Sequence, residues 1–112
     1  MDDTSIEDQA ELFSVLADPT RLKLLKLLSQ QREPDALCVN ALAFRLGVTQ
    51  SAVSQHLKVL KGAGFVKGKK RGYRTHYFVK QEALSKAKEL ISQTLEFGEN
   101  EIDRSNIGET GK

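Results

Sequence analysis

Polar residues between positions 50 and 58 have the types and spacing that suit contacts with the edges of bases. Four of them recur at i, i+3, i+4 and i+7, which places them on one face of a helix: Ser51, Ser54, Gln55 and Lys58. Val53, Leu57 and Leu60 recur on the opposite face, which we expect to be buried. Serine and glutamine hydrogen-bond base edges, glutamine often to adenine, and lysine suits phosphate or guanine. The residues predicted to read bases are Gln50, Ser51, Ser54 and Gln55.

A cluster of cations around one glycine predicts a second kind of contact, with phosphates. The stretches Phe65–Lys70 and Tyr73–Val79 are rich in aromatic, β-branched and basic residues, and Arg71-Gly72 lies between them. This pattern predicts a β-hairpin with a basic tip, and such a ribbon can lie along a phosphate backbone. Tyr77 and Phe78 are predicted to pack the hairpin against the core. The residues predicted to anchor phosphates are Thr49, Lys58, Lys67, Lys69, Lys70, Arg71 and Arg74.

The charges of the 112-residue chain are distributed in blocks, although the net charge is only +2. Residues 1–18 contain six acidic side chains and no basic ones, whereas residues 36–81 contain nine Lys or Arg and no Asp or Glu. Residues 82–112 contain seven acidic and four basic side chains. Solvated faces usually mix both signs, so the block at 36–81 indicates a polyanionic partner such as nucleic acid.

Several classes of protein are disfavoured by the composition. The length suits one small domain, and no apolar run approaches the 18 residues of a membrane span. The first residues are acidic, unlike a secretory signal, and the single cysteine, Cys38, has no intrachain partner. We therefore expect a cytoplasmic protein with no membrane partner. Because no catalytic triad order, glycine-rich phosphate loop or metal-ligand pair occurs, we predict no enzymatic activity, cofactor or metal.

Two helices are predicted before residue 30. Apolar residues at near-helical spacing predict the first over Ile6–Ala17, with a capping box at Thr4–Glu7. Asp18 is a suitable N-cap for the second, Pro19–Ser29, since proline is favoured at the first helical position. The predicted apolar stripe of this second helix consists of Leu22, Leu25 and Leu28, widened by Leu24 and Leu27.

Two further helices are joined by a tight turn. Asn40 is predicted to cap a short helix over Ala41–Leu46, and Gly47 ends it in the left-handed conformation. Thr49 is predicted to cap the next helix, Gln50–Ala63, and Gly64 is predicted to end that helix. Two helices joined by a short turn containing glycine are typical of a helix-turn-helix.

A last amphipathic helix is predicted from Gln81 to about Phe97. Its apolar residues are Leu84, Ala87, Leu90 or Ile91, and Leu95. The polar composition after Phe97 predicts a disordered tail over residues 98–112, so that residues 1–97 form the folded domain.

Several stretches resemble a known family in both order and spacing. Residues Phe13–Leu22 read FSVLADPTRL, and the match continues through Leu37–Val39, Leu46–Leu60 and the hairpin. These stretches are similar to the ArsR/SmtB family of winged-helix repressors over roughly residues 6–97. The resemblance implies a mostly α fold with a β-hairpin wing, a winged helix-turn-helix in the order α-α-α-α-β-β-α.

The resemblance also implies how such a protein works. It would bind double-stranded DNA as a homodimer, on a palindromic operator near its own promoter, until an effector releases it. The first and last helices would form the dimer interface, in agreement with their apolar stripes. The residues predicted for that interface are Ile6, Phe13, Leu84, Leu90, Ile91 and Leu95.

The sequence departs from the family at both common metal sites. Where relatives have a C-V-C pair, this chain has Cys38-Val39-Asn40, and thiophilic ions need two or three thiolates. The final helix contains no histidine, which disfavours zinc, nickel or cobalt sensing there. The spacing typical of metal ligands is also absent among the other candidate ligands, which lie on different elements: Cys38, His56 and His76. We predict that Cys38 is a small buried residue.

Two alternative interpretations stay open on the sequence. A winged helix with a basic surface can also act as an interaction module for an acidic protein. A regulator can also sense through Cys38, by a bond between the Cys38 residues of two subunits or by a mixed disulfide. The residues at the usual sensing positions indicate no particular effector.

Overall fold

The computed structural model describes residues 6–31 and 37–95, which form five helices and a small three-stranded sheet. In chain order the elements are α1 (Ile6–Leu16), α2 (Pro19–Gln30), β1 (Leu37–Cys38), α3 (Val39–Leu46), α4 (Gln50–Gly62), β2 (Val66–Arg71), β3 (Arg74–Val79) and α5 (Gln81–Thr94). The predicted mostly helical fold with a β-hairpin wing is confirmed. Thr4 of the predicted capping box, Phe97 and the predicted tail lie outside the described residues.

The start of α2 follows its sequence signals. Asp18 is the N-cap, and its Oδ2 accepts a hydrogen bond from the backbone N–H of Arg21 at 3.0 Å. Pro19 occupies the first turn, where a missing N–H removes no intrahelical hydrogen bond. These local interactions fix the point at which the chain turns from α1 into α2.

The predicted apolar stripe of α2 is wrong at Leu22, which is 52% exposed. Leu24, Leu25 and Leu28 are buried instead. A spacing of three residues falls about 60° short of a full helical turn, so Leu22 points well away from the direction of Leu28. The buried face of α2 is therefore centred on Leu24 and Leu28.

The helix-turn-helix has the predicted turn. Gly47 has φ 69° and follows α3 in the left-handed conformation, and Thr49 Oγ1 accepts a hydrogen bond from the N–H of Ala52 at 3.0 Å. After α4, Gly64 is again left-handed, with φ 85°. Glycine is favoured at both positions because a Cβ atom strains this backbone conformation.

The predicted cap at Asn40 is wrong, because α3 begins earlier and Cys38 is its N-cap residue. Leu37 and Cys38 form β1, opposite Tyr77 and His76 of β3. Pairing with β3 holds these two residues extended, so the helix starts directly after them.

The wing is a hairpin in which β3 is the central strand of the order β1-β3-β2. Arg71 lies opposite Arg74, so the two-residue turn is Gly72-Tyr73 and not the predicted Arg71-Gly72. Gly72 has φ 68°, whereas Tyr73 does not have a positive φ. Positive φ at only the first central residue is typical of a tight hairpin turn of the primed class.

One apolar core joins the helices to the base of the wing. Its fully buried residues come from α2, α3, α4 and the entry to β2, and they include Leu24, Leu42, Val53, Leu57, Leu60, Phe65 and Val66. α5 adds Ala87. The helix α5 ends at Thr94, before the predicted end near Phe97. No helix in the described ranges is both long and apolar enough to cross a bilayer.

Candidate nucleic-acid interface

The two predicted faces of helix α4 differ in exposure to solvent. Val53, Leu57 and Leu60 are at most 1% exposed and pack into the core. The predicted base-reading and phosphate-anchoring residues of this helix are all exposed: Gln50, Ser51, Ser54, Gln55 and Lys58. Burial of one face fixes the rotation of α4, and the polar face is thereby presented to solvent without a neighbouring carboxylate in residues 37–81.

The first residue of α4 is joined to α3 by a side-chain hydrogen bond. Nε2 of Gln50 donates to Oδ1 of Asn40, and both side chains are exposed. An open pocket of about 280 Å³ lies beside this pair, between the starts of α3 and α4 and strand β3. Asn40, predicted as a cap, therefore contacts a predicted base-reading residue instead.

The register of the wing places most of its cations on one face. Because cross-strand partners share a face of the sheet, Lys67, Lys69 and Arg71 lie on the same side as Phe78. Lys69 Nζ and the Arg71 guanidinium each lie 5.8 Å from the centre of the Phe78 ring. Such cation–π contacts restrain long basic side chains. Lys70, on the opposite face, and Arg74, beside the tip, are both exposed.

The three aromatic residues of the wing have different surroundings. Tyr77 packs against the core, as expected. Phe78 is half-buried beneath the cations of Lys69 and Arg71. Tyr73 lies at the tip and is exposed, with the Arg74 guanidinium 5.9 Å from its ring.

Arg21 connects three helices, and this role was missed in the sequence. Its Nε donates to the carbonyl of Val15 at 2.6 Å and its Nη2 to that of Ser14 at 3.4 Å, at the end of α1. Its Nη1 lies 3.3 Å from Nδ1 of His56 on α4. His56 Nδ1 also lies 3.8 Å from Oδ2 of Asp18. Only the PTR stretch of the family pattern marks Arg21, and nothing local marks its partner on α4.

The hydrogen bonds at this junction also affect Asp18. The backbone N–H of Arg21 lowers the pKa of the Asp18 carboxyl below its usual value, with further help from the charges of His56 and Arg21. Partial burial opposes the shift. Asp18 thus combines helix capping with an electrostatic contact to α4.

Cys38 is buried, as predicted, and lies opposite His76 in the sheet. The backbone N–H of Ala41 lowers the pKa of the Cys38 thiol, burial opposes this, and Arg74 adds a favourable charge. Nδ1 of His76 is buried without a hydrogen-bond partner in the described part of the chain. Within those residues no three His, Cys, Asp or Glu side chains converge as a metal site. One thiol beside Asn40 does not fit a thiophilic ion.

The residues predicted for a dimer interface lie along α1 and α5. The hydroxyl of Thr94 donates to Oε1 of Gln9, so the two helices are adjacent at this point. Ile6, Ile91 and Leu95 are 68%, 39% and 63% exposed. Phe13 and Leu84 are half-buried, whereas Leu90 is buried in the protomer.

Comparisons with known proteins agree with this arrangement. The sequence pattern of the bacterial regulatory protein, arsR family, matches residues 18–67. An uncharacterised HTH-type transcriptional regulator of Methanocaldococcus jannaschii is 36% identical over 87 residues, which cover 78% of this chain and 94% of that protein. The arsenical resistance operon repressor of Escherichia coli is 35% identical over 83 residues, or 74% of this chain and 68% of that protein.

A solved structure extends the comparison to the fold. The homodimeric winged helix-turn-helix DNA-binding domain of a possible ArsR-family regulator from Mycobacterium bovis superposes with a TM-score of 0.64. Its sequence is 28% identical, and the match covers 84% of this chain and 86% of that one. The exposed polar face of α4, the basic wing and these likenesses agree: the chain belongs to the ArsR family of bacterial regulatory proteins, which are DNA-binding transcriptional regulators.

Proposed function

We propose that this chain represses transcription by binding a palindromic operator as a homodimer. The observation that carries the proposal is the exposed polar face of α4, free of carboxylates, next to a wing rich in cations. Helix α4 enters the major groove, where Gln50, Ser51, Ser54 and Gln55 contact base edges. The N-terminus of α4 adds backbone N–H groups and a favourable helix dipole towards phosphate.

The wing supplies contacts that are independent of sequence. Lys67, Lys69, Lys70, Arg71 and Arg74 neutralise phosphates, with Thr49 and Lys58 adding contacts from α4 and its cap. Phosphate contacts set position and affinity, whereas base contacts set specificity. Because the contacts release counterions, affinity falls steeply as salt rises.

The dimer forms through α1 and α5. The partly exposed apolar residues Ile6, Ile91 and Leu95 would otherwise face water, and each Å² of apolar surface removed from water contributes about 25 cal/mol. A two-fold dimer presents two copies of α4 to the same face of DNA. The operator half-sites are therefore about 10 bp apart, or a multiple of that distance.

Selection of duplexes from a random library, followed by fluorescence anisotropy, tests the proposal. Wild-type protein should enrich a two-fold symmetric sequence. The Gln55→Ala variant should lose about 1 to 3 kcal/mol of discrimination at one base pair in each half-site. Absence of any enriched sequence and equal affinity for all duplexes would refute the proposal.

The wing is tested by salt dependence. Lys69→Ala with Arg71→Ala should reduce the slope of log affinity against log salt by about 0.9 for each lost contact, or about 1.8 per protomer. The matched control removes two exposed cations from α2, with Lys23→Ala and Lys26→Ala. An unchanged slope in the wing variant would show that the wing does not contact phosphate.

A further inference from the structure

Asn40 and Gln50 are ten residues apart and lie at the starts of two different helices. Oδ1 of Asn40 accepts a hydrogen bond from Nε2 of Gln50. Neither side chain is buried, so core packing does not require this contact. Asn40 is also not the cap of α3, since Cys38 occupies that position. The side chain of Asn40 is therefore available to act on Gln50.

The hydrogen bond leaves Gln50 with the groups that an adenine contact needs. A glutamine amide has two N–H donors and one carbonyl acceptor. Asn40 occupies one donor, so one N–H and Oε1 stay available. Adenine presents N7 as an acceptor and N6–H₂ as a donor in the major groove, which matches this remaining pair.

Gln50 lies beside open space, so its side chain would be mobile without a restraint. Gln50 lines the open pocket of about 280 Å³ together with Arg74, Thr75 and Tyr77. A long, unrestrained side chain beside open space samples many rotamers, and ordering it on binding reduces affinity. The contact with Asn40 fixes the end of the side chain before DNA arrives.

We propose that Asn40 is a positioning residue that sets base specificity by orienting the Gln50 amide. This inference rests on the proposed function, because it requires Gln50 to face a base. Asn40 itself makes no base contact in this role. Its removal should weaken the base preference at one position and leave the salt dependence unaltered.

Base preferences of the full chain should be measured with duplexes in which each operator position is replaced in turn. Asn40→Ala should weaken discrimination at the position read by Gln50 by roughly twofold to twelvefold, the cost of ordering one free side chain. Gln50→Ala should weaken discrimination at the same position, and the double variant should be no worse than Gln50→Ala alone. Asn40→Asp keeps an acceptor oxygen, so its base profile should match wild type even if its charge lowers overall affinity.

The control is Gln30→Ala, which removes an exposed amide from α2. An unchanged profile in Asn40→Ala, with a changed one in Gln50→Ala, would overturn the role of Asn40 and leave the proposed function intact. An unchanged profile in Gln50→Ala would also overturn it, since nothing would then be positioned. Lack of sequence-specific binding by wild type would instead refute the proposed function and this inference together. The circular dichroism spectrum of each variant should match that of wild type, because Asn40, Gln50 and Gln30 are all exposed.

Discussion

The guanidinium of Arg21 lies 3.3 Å from Nδ1 of His56, so the side chain that contacts the end of α1 also contacts α4. The carbonyls of Ser14 and Val15 belong to the last turn of α1, where a cation is favourable to the helix dipole. Three helices are thereby joined at one residue.

Replacement of Arg21 should destabilise the protein. We expect Arg21→Ala to lower the free energy of unfolding by about 1 to 3 kcal/mol, because carbonyls at the end of α1 lose charge-assisted donors. Urea denaturation monitored by circular dichroism measures the change. Lys23→Ala, on the exposed side of the same helix, is the control and should alter stability by less than about 0.5 kcal/mol. Equal stability of the two variants would contradict a structural role for Arg21.

Asp18 should make stability depend on pH in acid. The folded state lowers the pKa of this carboxyl, so its contribution is fully present above the unfolded value near 4 and is lost as pH falls through the folded pKa. Asp18→Asn keeps a capping oxygen and lacks this titration. The stability advantage of wild type over Asp18→Asn, from urea midpoints, should therefore be larger at pH 5 than at pH 3. A difference that is constant over this range would show that Asp18 does not titrate with folding.

Gly68 is required by close packing within the wing. A Cβ atom at this position would lie 2.8 Å from Cγ2 of Thr75 and 3.3 Å from Cε1 of Tyr77. Gly68→Ala should thus cost about 1 to 3 kcal/mol in thermal or urea unfolding. Thr75→Ser removes the clashing methyl and should reduce the cost of adding Gly68→Ala. Gly62→Ala, where nothing lies within 4 Å of the added Cβ, is the matched control, and an equal effect of both glycine changes would refute the packing argument.

The cap at Thr49 should be replaceable only by a residue with a hydroxyl or similar acceptor. Thr49→Ala removes the acceptor for the N–H of Ala52 and should lower stability by about 1 kcal/mol. Thr49→Ser should restore most of the loss. Differential scanning calorimetry gives both values, and a stable Thr49→Ala would indicate that solvent caps α4 equally well.

The proposed dimer should depend on the exposed apolar residues of α5. Ile91→Asp with Leu95→Asp should raise the dimer dissociation constant at least about 100-fold, because two side chains per protomer lose apolar burial. Sedimentation velocity over a range of concentrations measures it. Ser85→Asp, elsewhere on α5, is the control. Dimers of unchanged affinity in the double variant would place the interface on another surface.

Features set by neighbouring residues could be predicted from the sequence. Helix ends are marked by interactions that span a few residues. The structure has three such ends where predicted, at Asp18-Pro19, at Gly47 and at Thr49. The polar face of α4 follows from helical spacing alone. The exposed position of Leu22 shows the limit of this approach, since a row of leucines does not say which side of a helix the core contacts.

Features set by distant residues could not be predicted in the same way. Leu37 and Cys38 are extended because they pair with β3, in which their partners Tyr77 and His76 lie about 40 residues further along the chain. Arg21 meets His56 across 35 residues, and the Asn40–Gln50 contact depends on the angle between two helices. Such pairs arise only once the core has placed the elements, and no local pattern encodes them.

The strand order β1-β3-β2 leaves β2 as an outer strand within the described chain. Outer strands tend to recruit further strands and aggregate, and lysine is a common deterrent. We therefore expect the lysines of β2 to oppose backbone pairing between the wings of separate molecules: Lys67, Lys69 and Lys70. Neutral replacements at these positions should therefore be checked for aggregation. A variant that precipitates shows reduced DNA binding even if its binding surface is intact.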